Sequence, residues 1–197
     1  MAARQSAAAG LTGLEWAVGV PGSVGGGVRM NAGGHGSDIA ATLSTVLLFD
    51  LVVGGPVTVS VSDLALGYRE SNIGPNQIVL SADFQLEQGD TQTSLDEVSE
   101  IVRWRRKNQP GGQNAGSVFR NPEGDSAGRI VENVGMKGFR IGSAEVSTKH
   151  ANFIQADRDG SANDVFAVIQ AVQQRVFNET GVEFHPENHL IGFEVEG

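Results

Sequence analysis

The eighteen residues GVPGSVGGGVRMNAGGHG, from Gly19 to Gly36, hold eight of the chain's 27 glycines. Glycine loses more backbone freedom on ordering than any other residue, so such a run inside globular sequence implies a packed, backbone-led loop rather than a linker. Closely spaced glycines let backbone N–H groups approach an anion without interference from Cβ atoms, and a loop of this kind can wrap a pyrophosphate. Neither standard phosphate fingerprint is present. There is no GxxxxGK followed by Ser or Thr, and Gly22-Ser23-Val24-Gly25-Gly26-Gly27 is not GxGxxG leading into a periodic helix. On the residues alone, a set of tight turns is an equal reading.

The rest of the chain bounds what that loop can serve. At 197 residues there is enough chain for one ordinary domain or two small ones, with 40% hydrophobic and 19% charged residues. No run approaches the roughly 20 apolar residues of a membrane span. With no cysteine there is no disulfide framework, thiolate metal site or cysteine nucleophile, and the opening MAARQSAAAG lacks a secretory apolar core, so a cytoplasmic address is expected. The net charge of −9 disfavours nucleic acid and anionic membranes as partners. Ten of the fourteen cations fall in the middle of the chain: Arg69, Arg103, Arg105, Arg106, Lys107, Arg120, Arg129, Lys137, Arg140 and Lys149. That belt suits a small polyanionic ligand, and dispersed surface cations suit it equally.

The Ala-rich opening through Trp16 reads as a helix with nothing before it to cover its apolar face. Leu43–Val53 and Val57–Val61 read as strands joined at Gly54-Gly55-Pro56, and Ile78–Leu86 as a further strand closed by Gln88-Gly89-Asp90. A domain boundary is expected near residue 90. Ser94 with Glu97 forms a capping box for a helix carrying Leu95, Val98, Ile101 and Val102 to Asn108. A second helix starts at Ser161, buries Val165, Val168, Ile169, Val172 and Val176, and ends at Gly181. Between them come a strand at Ser117–Phe119, a helix at Ala127–Val134, and strands around Phe139–Val146 and Asn152–Gln155. Strands and helices mix without a βαβ rhythm, so the expected class is α+β.

Several motifs have plain explanations. Gly124-Asp125-Ser126-Ala127-Gly128 matches GxSxG, but no strand precedes it and Ser126 suits the N-cap of the helix behind it. His185 and His189 flank a carboxylate, but Pro186 breaks the helix that would align them, and no metal site is assigned. His35 and His150 read as ordinary hydrogen-bonding histidines. The Asn178-Glu179-Thr180 triplet has no secretion signal to make it a glycosylation site. Tyr68-Arg69, Ser117 within NAGSVFRNP, and Glu187 remain as polar residues in segments too apolar or glycine-rich to need them.

The run GLEWAVGVPGSVGGGVRMNAGGHG, then Gly67-Tyr68-Arg69, then NAGSVFRNP with GDSAGRIVENVGMKGFRIGSAEVSTKHANFI, and finally PENHLIGF, resembles the UDP-N-acetylenolpyruvoylglucosamine reductase (MurB) family over essentially the whole chain. It is most similar to the short subgroup without the additional tyrosine-bearing loop. The resemblance implies a cytoplasmic flavoenzyme of peptidoglycan precursor synthesis that takes electrons from NADPH through FAD to reduce UDP-N-acetylglucosamine enolpyruvate to UDP-N-acetylmuramate. It implies the C-terminal part of a PCMH-type (vanillyl-alcohol-oxidase-like) FAD-binding domain over residues 1–90 and a smaller α+β substrate-binding domain over 91–197. By the same resemblance Ser117 is the proton donor, with Arg69 and Glu187 flanking the enolate. Pro21, Gly22, Ser23, Gly25, Gly26, Gly27, Asn31, Ala32 and Gly33 match the loop against FAD, and Tyr68, Arg120 and Asn121 match the substrate side. The Arg106-Lys107-Asn108-Gln109-Pro110 segment departs from the family's usual lysine before Gln-Pro, so no diphosphate lysine is assigned.

Family members begin with a further segment carrying the first part of the flavin domain, and Met1 falls where they are already under way. A missing N-terminal flavin-domain segment is therefore an expected partner. Two alternatives stay open: a truncated, inactive fragment that binds UDP-sugar without FAD, and another oxidase of the same FAD-binding superfamily.

Overall fold

The computed structural model describes residues 1–193 and contains both helices and sheets in two compact units, Met1–Arg105 and Arg106–Gly197.

In the first unit α1 (Ala2–Ala8) is followed by β1 (Leu11–Thr12), a 3-10 turn over Glu15–Ala17, α2 (Val24–Arg29), β2 (Gly33–Gly34) and β3 (Ser37–Asp38). The main sheet follows: β4 (Leu43–Asp50), β5 (Gly55–Ser60) and β6 (Gln77–Phe84), then β7 (Glu87–Gln88) and α3 (Thr91–Asn108), whose last residues fall in the second unit. The sheet is antiparallel in the order β5-β4-β6, with Val46 opposite Val59 and Ala82. Alternation along β4 turns Val46 and Leu48, both fully buried, onto a core with Trp16, Val28, Ile39, Leu64 and Ile73.

Three local expectations change here. The opening helix stops at Ala8 instead of reaching Trp16, because Gly10 and Gly13 take positive φ and turn the chain. Its apolar face is covered as well: Ala3 and Ala7 pack with Val18, Val98 and Ile101. The α3 helix begins a turn before the capping box. Asp90 is its cap, its carboxylate accepting from Thr93 N–H at 2.8 Å, while Ser94 is buried inside the first turn. The glycine run also contains a helix: Ser23 caps α2 by accepting from Gly26 N–H. That helix can lie on the sheet because a Cβ at Gly25 would come within 3.2 Å of Val79 Cβ.

In the second unit β8 (Gln113–Asn114), α4 (Ala127–Asn133), β9 (Arg140–Ile141), β10 (Ala144–Val146), β11 (Ile154–Ala156) and α5 (Ala162–Thr180) follow in order. The four strands form one antiparallel sheet, β8-β11-β10-β9. Ser161 caps α5 and Gly181, with φ 73°, ends it, as the sequence predicts. The buried stripe Val168, Ile169, Val172 and Val176 packs on Ala144, Val146 and Ile154 of the sheet and on Ala127, Ile130 and Val131 of α4. Ser126 is the N-cap of α4, accepting from Arg129 N–H, which accounts for the serine of the GxSxG string. The expected strand at Ser117–Phe119 is only a single bridge, Phe119 to Pro186.

Candidate functional site

In the first unit the glycine run and the Tyr68-Arg69 corner are tied together by one buried side chain. Asn31 is 2% exposed, and its amide donates to the Gly67 carbonyl at 2.8 Å and to Asp38 at 3.1 Å while its oxygen accepts from Ala40 N–H. Arg69, at φ 59°, returns the contact: its guanidinium donates to the Gly33 carbonyl at 2.9 Å and reaches the Asn31 carbonyl at 3.4 Å. That guanidinium also lies 4.9 Å from the Tyr68 ring centre. A Cβ at Gly33 would sit 2.8 Å from Asp38 Cβ, so this glycine is required for the close approach.

Five of the nine loop residues matched to FAD therefore have internal work. Ser23 caps α2, Gly25 makes room for β6, Asn31 ties two loops, Gly33 admits Asp38, and Ala32 joins the core. Pro21, Gly22 and Gly26 are exposed, and no atom lies within 4 Å of the Cβ position of Gly22. Open space over Gly22 beside the Pro21 ring leaves room for one face of a flat ring system, while the Gly26 N–H and carbonyl are taken up by Ser23 and Met30.

In the second unit, backbone pairing places Ser117 and Glu187 on neighbouring segments. Glu187 N–H donates to the Val118 carbonyl at 2.7 Å, and Arg120 N–H donates to the His185 carbonyl at 2.9 Å. Ser117 lines a cavity of about 360 Å³ together with Asn121, Lys149, His150 and Asn152. Asn121 is held in place by α4, its side-chain oxygen accepting from Ala127 N–H at 3.0 Å. Lys149, His150 and Asn152 at this cavity carry no local signal in the sequence, since the short turn between β10 and β11 that presents them has no periodicity to mark them.

Burial pushes the His150 imidazole below its ordinary pKa, with Lys137 reinforcing the shift and Glu132 opposing it. Its Nδ1 accepts from Asn152 N–H at 3.2 Å, which only an unprotonated nitrogen can do. His35 is lowered by burial and by the charge of Arg105, and stacks edge-on against Trp104 at 5.0 Å. Because both folded pKa values lie below the unfolded value, the unfolded chain takes up protons first as the pH falls. The histidine contribution to stability is complete above about pH 7 and declines from about 6.5 downward. The carboxylates of Asp50, Asp90, Asp125 and Asp164, held low chiefly by hydrogen bonds, add their losses only below about pH 4. Thermal melts at pH 7.5 and 5.5 should show the histidine-linked loss, and His35→Asn and His150→Gln should each reduce it. An unchanged slope in both variants would remove the assignment.

The middle cation belt is largely local. Arg129 pairs with Asp125, Lys137 with Glu132 at 2.9 Å, and Arg140 with Asp157 and Glu145. Lys149 donates to the Arg106 carbonyl. Exposed pairs of this kind contribute little stability. Among the described residues no helix is long and apolar enough to cross a membrane, and no group of three His, Asp or Glu could hold a metal ion.

Residues 108–191 match the family model described as UDP-N-acetylenolpyruvoylglucosamine reductase, C-terminal domain. Over 197 aligned residues the chain is 45% identical to the UDP-N-acetylenolpyruvoylglucosamine reductase of Synechococcus sp. strain WH7803, covering 98% of this chain and 64% of that one. Residues 108–191 thus carry the pattern of that C-terminal domain, and nearly the whole chain is similar to reductases of this family. It is 41% identical to the reductase of the same name from Chloroflexus aurantiacus, covering 96% of this chain and 65% of the relative. The crystal structure of UDP-N-acetylenolpyruvylglucosamine reductase (MurB) from Thermus caldophilus superposes with a TM-score of 0.85 at 34% identity, over 94% of this chain and 66% of that one. The chain thus spans slightly less than two thirds of the length of these family members.

Proposed function

We propose that this chain carries the chemistry of this reductase family, the NADPH-dependent, FAD-mediated reduction of UDP-N-acetylglucosamine enolpyruvate to UDP-N-acetylmuramate in peptidoglycan precursor synthesis. Residues 1–90 would form the C-terminal part of a PCMH-type FAD-binding domain and residues 91–197 the substrate domain. The observation that supports the reading is the backbone bond from Glu187 to Val118, which brings the segment of Glu187 alongside that of Ser117, which lines a polar cavity.

When bound, FAD would pass to the enolpyruvyl β-carbon a hydride obtained from NADPH. The exposed Gly22 backbone and the Pro21 ring would face it, with Ser23, Gly25, Gly26, Gly27, Asn31, Ala32 and Gly33 shaping the loop. Addition at the β-carbon leaves negative charge on the α-carbon and its carboxylate. A guanidinium at Arg69 and an acid at Glu187 stabilise charge that is absent from the ground state, which is the condition for accelerating the step. Ser117 then gives its hydroxyl proton to the α-carbon. A serine is a weak acid, but it suffices against a strongly basic enolate when held close and dry. Tyr68, Arg120 and Asn121 would contact the substrate, and Arg suits forked contact with a diphosphate.

Titration of the purified chain with FAD tests this reading. Saturable binding with a perturbed visible spectrum, followed by bleaching with NADPH, is the expected result. Failure to take up FAD, with UDP-N-acetylmuramate still bound, would establish the fragment reading instead. Flavin that is bound but reoxidised by oxygen and never by the enolpyruvyl ether would point to an oxidase.

A further inference from the structure

We propose that Asn152 is a positioning residue for Ser117, an inference that rests on the reductase reading above. The segment following Ser117 is held from two sides. On one side it pairs with residues 185–187 through Val118 and Arg120. On the other side, among the described residues, Asn152 supplies the bonds that a neighbouring strand would. Its carbonyl accepts from Val118 N–H at 2.9 Å. Its side-chain oxygen accepts from Phe119 N–H at 2.9 Å, and its side-chain nitrogen donates to the Phe119 carbonyl at 2.9 Å.

A carboxamide is the side chain that can both accept from and donate to a single residue's backbone in this manner. Both partners are buried, Asn152 at 4% and Phe119 at 1% exposure, so neither Phe119 group can turn to water when the amide is removed. Asn152 is itself fixed: its N–H donates to His150 Nδ1, and Phe153 N–H closes the turn on the His150 carbonyl at 3.0 Å. The Asn152 side chain therefore sets where the backbone two residues beyond Ser117 lies, and with it the hydroxyl's place at the cavity that both residues line. Proton delivery to carbon depends steeply on such placement.

The test uses the full chain with two variants. Asn152→Leu removes both polar contacts at similar volume; Asn152→Asp retains an acceptor for Phe119 N–H, loses the donor, and keeps the shape. Amide hydrogen exchange read by NMR in Asn152→Leu should be about tenfold faster or more at Phe119 and Glu187, while Val168 and Val172 in α5 keep their protection. Asn152→Asp should affect these same sites by a smaller factor. In the FAD-loaded protein, reduction by NADPH should stay within about twofold, whereas reoxidation by the enolpyruvyl ether should slow roughly tenfold or more, in kcat rather than KM. Unchanged exchange at Phe119 and Glu187, exchange raised equally through α5, or both half-reactions slowed alike would overturn the proposal. A wild-type chain that NADPH never reduces would remove the reductase reading, and the exchange pattern would still decide by itself whether Asn152 holds the Ser117 segment.

Discussion

Ser117→Ala should let NADPH bleach bound flavin at the wild-type rate while slowing reoxidation by the enolpyruvyl substrate roughly 100- to 10,000-fold, the range that a positioned general acid contributes. The separation follows from the chemistry. Electron arrival from NADPH needs no proton at the substrate carbon, whereas completing the lactyl ether does. Ser117 is partly buried at the edge of its cavity and the neighbouring Val118 and Phe119 backbones are held by their own bonds, so loss of one oxygen should leave the fold intact. Stopped-flow absorbance of the two half-reactions is the measurement. Equal slowing of both would mean that Ser117 acts in binding, and the proton would have to come from elsewhere.

Phe119→Ala should be the most damaging single change in the second unit. The ring is 1% exposed and stacks on Phe184 with centres 4.9 Å apart, closing the core beneath Ser117 and Glu187. Truncating a buried phenylalanine costs about 3–5 kcal/mol through lost transfer energy and the cavity left behind. At about 4–8 °C per kcal/mol for a unit of this size, the second unit's thermal midpoint should fall by at least about 12 °C. Phe119→Leu, retaining most of the volume, should lose much less. A midpoint change of only a few degrees in Phe119→Ala would show that Phe184 and its neighbours collapse into the space, and that the stacked pair is not what closes this core.

Legibility in the sequence varied with the range of the interactions involved. The α5 helix could be read in full because its evidence is local: Ser161 caps it, apolar residues recur at helical spacing, and Gly181 ends it. The Ser126 cap of α4 was legible for the same reason. The opening helix was overextended because alanines signal helix while the reversals at Gly10 and Gly13 depend on tertiary contacts. Its apolar face looked uncovered only because its partners, Val98 and Ile101, lie some ninety residues later. At the candidate site, Ser117, Asn121 and Glu187 stood out by motif, and Arg69 by its place beside Tyr68. Lys149, His150 and Asn152 did not, because a polar turn between strands has no period to reveal its purpose.

The residue order alone determined α4 and α5 with their caps, the body of α3, the strand-forming stretches of the first sheet, and the motifs that mark the family. These depend on backbone preferences and hydrogen bonds that close within a few positions along the chain. Only the tertiary structure decided that Glu187 pairs with Val118, that Asn152 grips Phe119 across 33 positions, and that Arg69 binds the carbonyls of Asn31 and Gly33. Contacts at such separations leave no periodic trace, because they form only when collapse of the core has brought the segments together and left their backbone groups no water to bond.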